Sequence, residues 1–262
     1  MNLNLQGKRA LVCGSTQGLG KASAIELAKL GASVILVARN EQALKKTELE
    51  LDVSAGQRHG YIVADFSDVN QVKERVNDYV KKNPPIHILV NNTGGPKGGP
   101  IVDADLQEFI NAFSSHLLCN HVLAQAVIPG MKAERYGRII NIISTSVKQP
   151  IAGLGVSNTI RGAVASWAKT LADELAPYGI TVNNVLPGMT KTARLDSLIK
   201  SKSEKIGKSV DEITKAMIAE IPAGRFAQPE EFAAAVAFLA TPAASYINGI
   251  SLPVDGGRTL SL

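Results

Sequence analysis

The chain has 262 residues, of which 45% are apolar and 19% charged, and it carries a net charge of +5 with two cysteines. That length suffices for one large α/β domain with a substantial core, while Cys13 and Cys119 alone exclude a framework of disulfides or a cysteine-based metal cluster. The opening Met1-Asn-Leu-Asn-Leu-Gln has neither the charged nor the apolar region of a signal peptide, and no apolar run nears the length that spans a bilayer. The expectation is a cytoplasmic protein with no membrane and no nucleic-acid partner.

Strand-like and helix-like segments alternate along the chain. Arg9–Cys13 is a short apolar run, followed by a glycine-rich turn and a helical repeat over 18–30 that Gly31 ends. Ser33–Ala38 contains Val-Ile-Leu-Val, the continuous pattern of a strand buried on both faces. A polar-faced helix over 41–53, a strand over 61–64, a helix over Val69–Lys82 stopped by Pro84-Pro85 and a strand over 86–90 follow. The stretch 104–134 reads as a long helical region that Pro129 must end or bend. Next come a strand over 138–143, an amphipathic helix over 162–175, a strand over 180–186, a helix over 230–239 and a last strand over 250–254. Seven β segments separated by helices predict an α/β, Rossmann-like doubly wound seven-stranded parallel sheet, flanked by helices on both faces, as a single domain over 1–262. One insertion, about 189–223, is polar and offers no clean core stripe. Its basic residues, Lys191, Arg194, Lys200, Lys202, Lys205, Lys208 and Lys215, fit either a solvated helical face or an electrostatic funnel for an acidic substrate or carrier.

Gly14, Gly18 and Gly20 lie between a buried strand and a helix. There, glycines let the backbone turn tightly and approach a pyrophosphate at the helix N-terminus, whose free N–H groups favour anions. Further on stand Asn91-Asn92-Thr93-Gly94, Asn141-Ile-Ile-Ser144, Pro187-Gly188 and Val254-Asp255-Gly256-Gly257. This order resembles the short-chain dehydrogenase/reductase family, nearest to its beta-ketoacyl-carrier-protein reductases, over essentially the whole chain. The resemblance implies a dinucleotide held by Gly14, Ser15, Thr16, Gly18, Leu19 and Gly20, with Asp65 and Phe66 at the adenine. It also implies contacts from Asn92, Thr93 and Gly94, and from Pro187, Gly188 and Thr192 near the carboxamide and phosphates. The second strand ends in Val37-Ala38-Arg39-Asn40, with no acid for a ribose 2′-hydroxyl and an arginine able to grip a 2′-phosphate. NADP(H) is therefore favoured, with NAD(H) as the alternative, because Gln17 is neutral where NADP-binding relatives often carry a second base.

The same resemblance makes the segment 189–223 a lid and the assembly a homotetramer, and implies a serine–tyrosine–lysine–asparagine relay. Ser144 matches the serine. Ser157 stands at the tyrosine position, Arg161 at the lysine position and His116 at the asparagine position. A serine hydroxyl is a far weaker acid than a phenol and sits nearer the backbone. Arg161 keeps a charge that can hold a ribose or a developing oxyanion but cannot be given up as a proton. Ser157 and Arg161 keep i,i+4 spacing, which on a helix turns both to one pocket. His116, Lys148 and a bound water are the candidate proton sources. Two functions stay open. One is an oxidoreductase exchanging hydride with a carbonyl/alcohol pair, on a small molecule or a 3-oxoacyl thioester, with a non-standard proton donor. The other is a silent nucleotide-binding sensor or partner protein. A serine hydrolase built on Ser144 and His116 lacks the Gly-x-Ser-x-Gly elbow. His59, His87 and His121 read as structural, and no metal spacing is present.

Overall fold

Strands of unbroken Val, Ile and Leu need cover on both faces, and the computed structural model, which describes residues 1–261, supplies it. The strands are β1 (Arg9–Cys13), β2 (Ser33–Ala38), β3 (Gly60–Val63), β4 (Ile88–Asn91), β5 (Gly137–Ile142), β6 (Ile180–Pro187) and β7 (Ser251–Val254). They form one parallel sheet in the order β3-β2-β1-β4-β5-β6-β7. The helices are α1 (Gly18–Lys29), α2 (Glu41–Glu48), α3 (Val69–Lys82), α4 (Leu106–Phe113), α5 (Cys119–Ala133), α6 (Gly155–Leu175), α7 (Ala193–Ile206), α8 (Val210–Ala219) and α9 (Pro229–Ala240). Successive strand residues face opposite ways, so β1 feeds two cores. Ala10 and Val12 join Leu27 of α1 and Phe232 and Val236 of α9. Leu11 and Cys13 join Val72 of α3, Leu123 and Val127 of α5, and Ala168 of α6.

Several boundaries differ from expectation, and packing accounts for the larger shifts. α2 stops at Glu48 because Glu50 and Leu51 close tight turns on Thr47 and Glu48, which carry Leu51 into the core. Pro129 neither ends nor breaks α5, since Val127 and Met131 on either side of it are buried and hold the helix to the sheet. The interruption of the 104–134 region lies instead at Ser114–Leu118, a π-helical turn joining α4 to α5. α6 begins at Gly155, seven residues before the position expected, because Val156, Ile160 and Val164 already form its buried stripe. The close approach to Ile101 needs that glycine, as a Cβ on Gly155 would lie 2.6 Å from the Ile101 Cα. The 189–223 segment does own a core. Leu195 and Ile199 of α7 meet Ile213 and Met217 of α8, together with Ile221 and Phe226.

A buried polar row crosses the sheet near its C-terminal edge. Asn91, Asn141, Asn184 and Ser251 are in register on β4, β5, β6 and β7. Each asparagine amide donates to the next strand: Asn91 Nδ2 to Asn141 Oδ1 at 2.9 Å, Asn141 Nδ2 to Asn184 Oδ1 at 3.0 Å, and Asn184 Nδ2 to Ser251 Oγ at 3.2 Å. The row leaves Asn91 Oδ1 buried without a partner.

Candidate active site

The strand order reverses direction between β1 and β4, and a crevice opens beyond their carboxyl ends, the usual ligand position in such sheets. The glycine loop stands on one side of it. Gly14 and Gly18 adopt left-handed φ values of +57° and +54°. A Cβ on Gly20 would lie 2.2 Å from the Gly14 carbonyl oxygen, and one on Gly14 would lie 2.7 Å from the Asn92 side chain. Asn92 locks the loop to the far strand, donating to the carbonyls of Cys13 and Gly14 at 3.3 Å each. Gln17 gives no side-chain cap to α1, whose first turn also has no acid, so its amide N–H groups remain open to an anion. Thr192 packs across this loop, its Cγ2 about 3.5 Å from where a Gly18 Cβ would stand. Its hydroxyl caps α7 at Leu195 and donates to Thr190 O. Ser15 is buried with its hydroxyl donated to Val37 O at 3.4 Å, which leaves its backbone as the group able to meet a ligand. Gly188 answers a packing demand, because a Cβ there would lie 2.5 Å from the Asp255 Cα.

Farther along the edge, Arg39 is exposed at the end of β2 and close enough to act on Asp65 at the end of β3. The Ser67 N–H, at 2.9 Å from Asp65 Oδ1, holds that carboxyl below its usual range, with the Ser67 hydroxyl and Arg39 adding to the effect against partial burial. Phe66 is half-buried beside α3 and α5, and its carbonyl accepts from the Cys119 thiol.

At the other end the structure joins Thr93, His116 and Arg161. The π-helical turn carries His116, and such turns often mark functional positions. Its Nδ1 forms a short hydrogen bond with the Thr93 hydroxyl, a partnership with no signal in the sequence because Thr93 and His116 lie on separate elements. His116 is buried, and desolvation followed by the positive charge of Arg161 pushes its pKa down to about 3. Arg161 is itself enclosed. It reaches the end of β5, donating from Nη1 to Ile142 O at 3.3 Å, while its Nε has no partner. Among the described residues no carboxylate pairs with it. Burial lowers its pKa to about 10, which leaves it cationic at neutral pH. Ser144 lies two residues beyond the end of β5, and its Oγ accepts from Ser146 N at 3.1 Å, so its own proton is still available to donate. Ser157 is half-buried one helical turn before Arg161 on α6.

A large cleft of about 1110 Å³ lies between α7, α8 and this edge. It reaches Thr145, next to Ser144, and Leu154, just before α6. Lys148 does not line it but borders a separate cavity of about 580 Å³ with Val147, Ala165 and Ser251. The other histidines serve structure. His87 Nδ1 accepts from Arg9 N, His59 Nδ1 from Val34 N, and His121 Nδ1 from Trp167 Nε1. Among the described residues no set of three His, Cys, Asp or Glu side chains converges as a metal site.

His116 therefore works as a neutral ring. The unfolded chain's imidazole takes a proton near pH 6.5, the folded one only near 3. The stability this burial allows is thus complete above about pH 6.5 and is lost as the pH falls toward 3. In an imidazole NMR titration, the His116 ring is expected to remain neutral at pH 5. Arg161→Met should move its midpoint upward by removing the adjacent charge. A midpoint near 6.5 in the unsubstituted chain would contradict the enclosure described above.

Residues 14–259 match the family model described as Enoyl-(Acyl carrier protein) reductase. The chain is 34% identical to the 3-oxoacyl-(acyl-carrier-protein) reductase of Vibrio cholerae, over 97% of this chain and 98% of that one. It is 30% identical to the gluconate 5-dehydrogenase of Gluconobacter oxydans, over 99% and 97% respectively. The solved L-sorbose reductase of Gluconobacter frateurii, complexed with NADPH and L-sorbose, superposes with a TM-score of 0.93 at 31% identity, with both chains fully covered. With its seven parallel strands, its glycine cradle locked by Asn92 and relatives of this kind along its full length, the chain belongs to the short-chain dehydrogenase/reductase family.

Proposed function

We propose that this protein is an NADP(H)-dependent oxidoreductase that exchanges hydride with a carbonyl/alcohol pair and moves the accompanying proton without a tyrosine. The observation that carries the reading is the cradle made by Gly14, Gly20 and Asn92, where a Cβ would meet backbone at 2.2 Å. The space fits a pyrophosphate laid against bare backbone, and the uncapped start of α1 faces the same loop. Arg39 is the residue for a 2′-phosphate, a role consistent with its exposure at the end of β2 and with the NADPH held by the sorbose reductase. The remaining loop residues, Thr16, Leu19, Thr93, Gly94 and Pro187, and Asp65 and Phe66 at the adenine end, complete the binding set. The cofactor supplies hydride.

The protein's own residues do the rest. Ser144 donates a hydrogen bond from its hydroxyl to the carbonyl oxygen and holds that oxygen in place. Arg161, cationic and facing the end of β5, stabilises negative charge developing nearby and grips the nicotinamide ribose. Ser157 and Arg161 occupy the positions of the family's tyrosine and lysine, and Ser157 leaves room for water where a phenol would reach. In the tautomer where the Thr93 hydroxyl donates to Nδ1, the proton of the neutral His116 lies on Nε2. The ring then orients a water but is no acid at neutral pH, so the proton comes from water. The alternative, a silent nucleotide-binding member serving as sensor or partner, is favoured by one observation, the charge of Arg161 buried with no acid beside it. The substrate is a small carbonyl compound or a 3-oxoacyl thioester.

Fluorescence titration is expected to show NADPH binding in preference to NADH. Arg39→Ala should narrow that preference by about 10- to 100-fold, the loss of one charge-assisted contact. Equal affinity for both cofactors before substitution would remove the NADP assignment, and failure to bind either would remove the function. With a ketone panel, the double variant Ser157→Tyr, Arg161→Lys restores a phenol acid and should raise kcat by up to about 10²- to 10⁴-fold. An unchanged rate would mean that proton supply does not limit turnover.

The assembly proposed is a homotetramer. Leu106 and Ile110, one turn apart on α4, and Val102 in the 3-10 turn before it are 82%, 56% and 87% exposed, an apolar patch suited to burial between subunits. Light scattering should give the mass of four chains, and Leu106→Lys with Ile110→Lys should reduce it. A monomeric mass before substitution would refute the assembly.

A further inference from the structure

The large cleft carries charge of one sign. Lys97, Arg194, Lys202, Lys205 and Arg258 line it against a single carboxylate, Glu220. That carboxylate is already taken, since Arg258 Nη2 lies 2.7 Å from Glu220 Oε2. Arg194 donates to Pro96 O at 3.1 Å, and Lys97, Lys202 and Lys205 enter no ion pair among the described residues. Elsewhere on the lid a lysine is balanced, as with Lys215 and Asp211 at 2.8 Å. The arrangement follows from helix geometry. Leu195 and Ile199 turn one face of α7 into the lid core, while Arg194, Ser201, Lys202 and Lys205 recur at helical spacing along the face that lines the cleft. A concave wall of unmatched cations focuses potential on whatever fills it.

The inner end differs from this rim. There the lining is Thr145, Leu154 and Met189, next in chain to Ser144 and to the start of α6. Neither the glycine loop nor Arg39 nor Asp65 lines the cleft, so the dinucleotide's phosphates belong elsewhere.

We propose that the substrate is an anion, with a terminal carboxylate or phosphate held by Lys97, Arg194, Lys202 and Lys205 while its carbonyl lies at the Ser144 end. This rests on the reading of the cleft as the substrate side of a reductase. It also chooses between the two roles open to the basic run of the lid, in favour of substrate capture over a solvated face.

The test uses the NADP⁺-loaded protein and two matched probe pairs, with affinity read by calorimetry. 5-Keto-D-gluconate is compared with L-sorbose, which has a primary alcohol in place of the carboxylate. Acetoacetyl-coenzyme A, the phosphate-bearing probe, is compared with the uncharged acetoacetyl thioester of N-acetylcysteamine. The charged member of at least one pair is expected to bind about tenfold or more tighter at low salt, and the pair that responds identifies the source of the anion. The advantage should shrink as salt screens it, and should disappear in the double variant Lys202→Gln, Lys205→Gln while NADPH affinity is retained. Equal binding within both pairs, an advantage that survives the double variant, or no binding of any probe would overturn the proposal. NADPH binding and NADPH-dependent turnover of a panel of uncharged ketones, measured on the same samples, separate these outcomes from failure of the oxidoreductase reading, which predicts no turnover of any ketone whether or not the cofactor binds.

Discussion

The candidate site depends on a space too small for a methyl group. Gly20 touches the carbonyl of Gly14, and Asn92 reaches across from the neighbouring strand to hold the carbonyls of Cys13 and Gly14. The contact does two things at once. It seats the start of α1 directly over the end of β1, which aims open N–H groups into the crevice. It also joins β1 to β4 at the point where the sheet changes direction, so the two halves of the crevice keep one spacing. Side chains at either glycine would have to push the loop away from β4, and with it Thr93, the partner of His116.

Much of this was legible in the chain. Unbroken aliphatic runs such as Val34 to Val37 announce a parallel sheet because no other arrangement covers both faces of each strand. Glycines after a buried strand announce the cradle for an equally local reason. The lid core was not legible, because Leu195, Ile199, Ile213 and Met217 are sparse on their own helices and form a core only when α7 meets α8. Gly162 and its polar neighbours obscured the start of α6, where tertiary packing of Val156 and Ile160 overrides propensity. Pro129 does not end α5, whose buried face runs past it. At the candidate site, sequence positions single out Ser144, Ser157, Arg161 and His116 but do not give the state of His116. That state depends on burial and on a charge from α6, both properties of the folded chain.

Arg161 and His116 form one electrostatic system. Burial first, and then the charge of Arg161 with no acid beside it, hold His116 neutral. The same uncompensated charge is costly to the empty protein and is useful only when something negative forms beside it. Such surroundings match a negative group better than a second cation.

The asparagine row has a consequence for assembly of the sheet itself. Aliphatic strands can slide past one another by two residues and still bury similar side chains, because their pattern carries little phase information. Asn91, Asn141, Asn184 and Ser251 remove that freedom, since each amide finds its acceptor at a single setting of the four strands. The row acts as a vernier scale cut into an otherwise featureless surface, and the ends of β4 and β5, and with them Thr93 and Ser144, inherit its alignment.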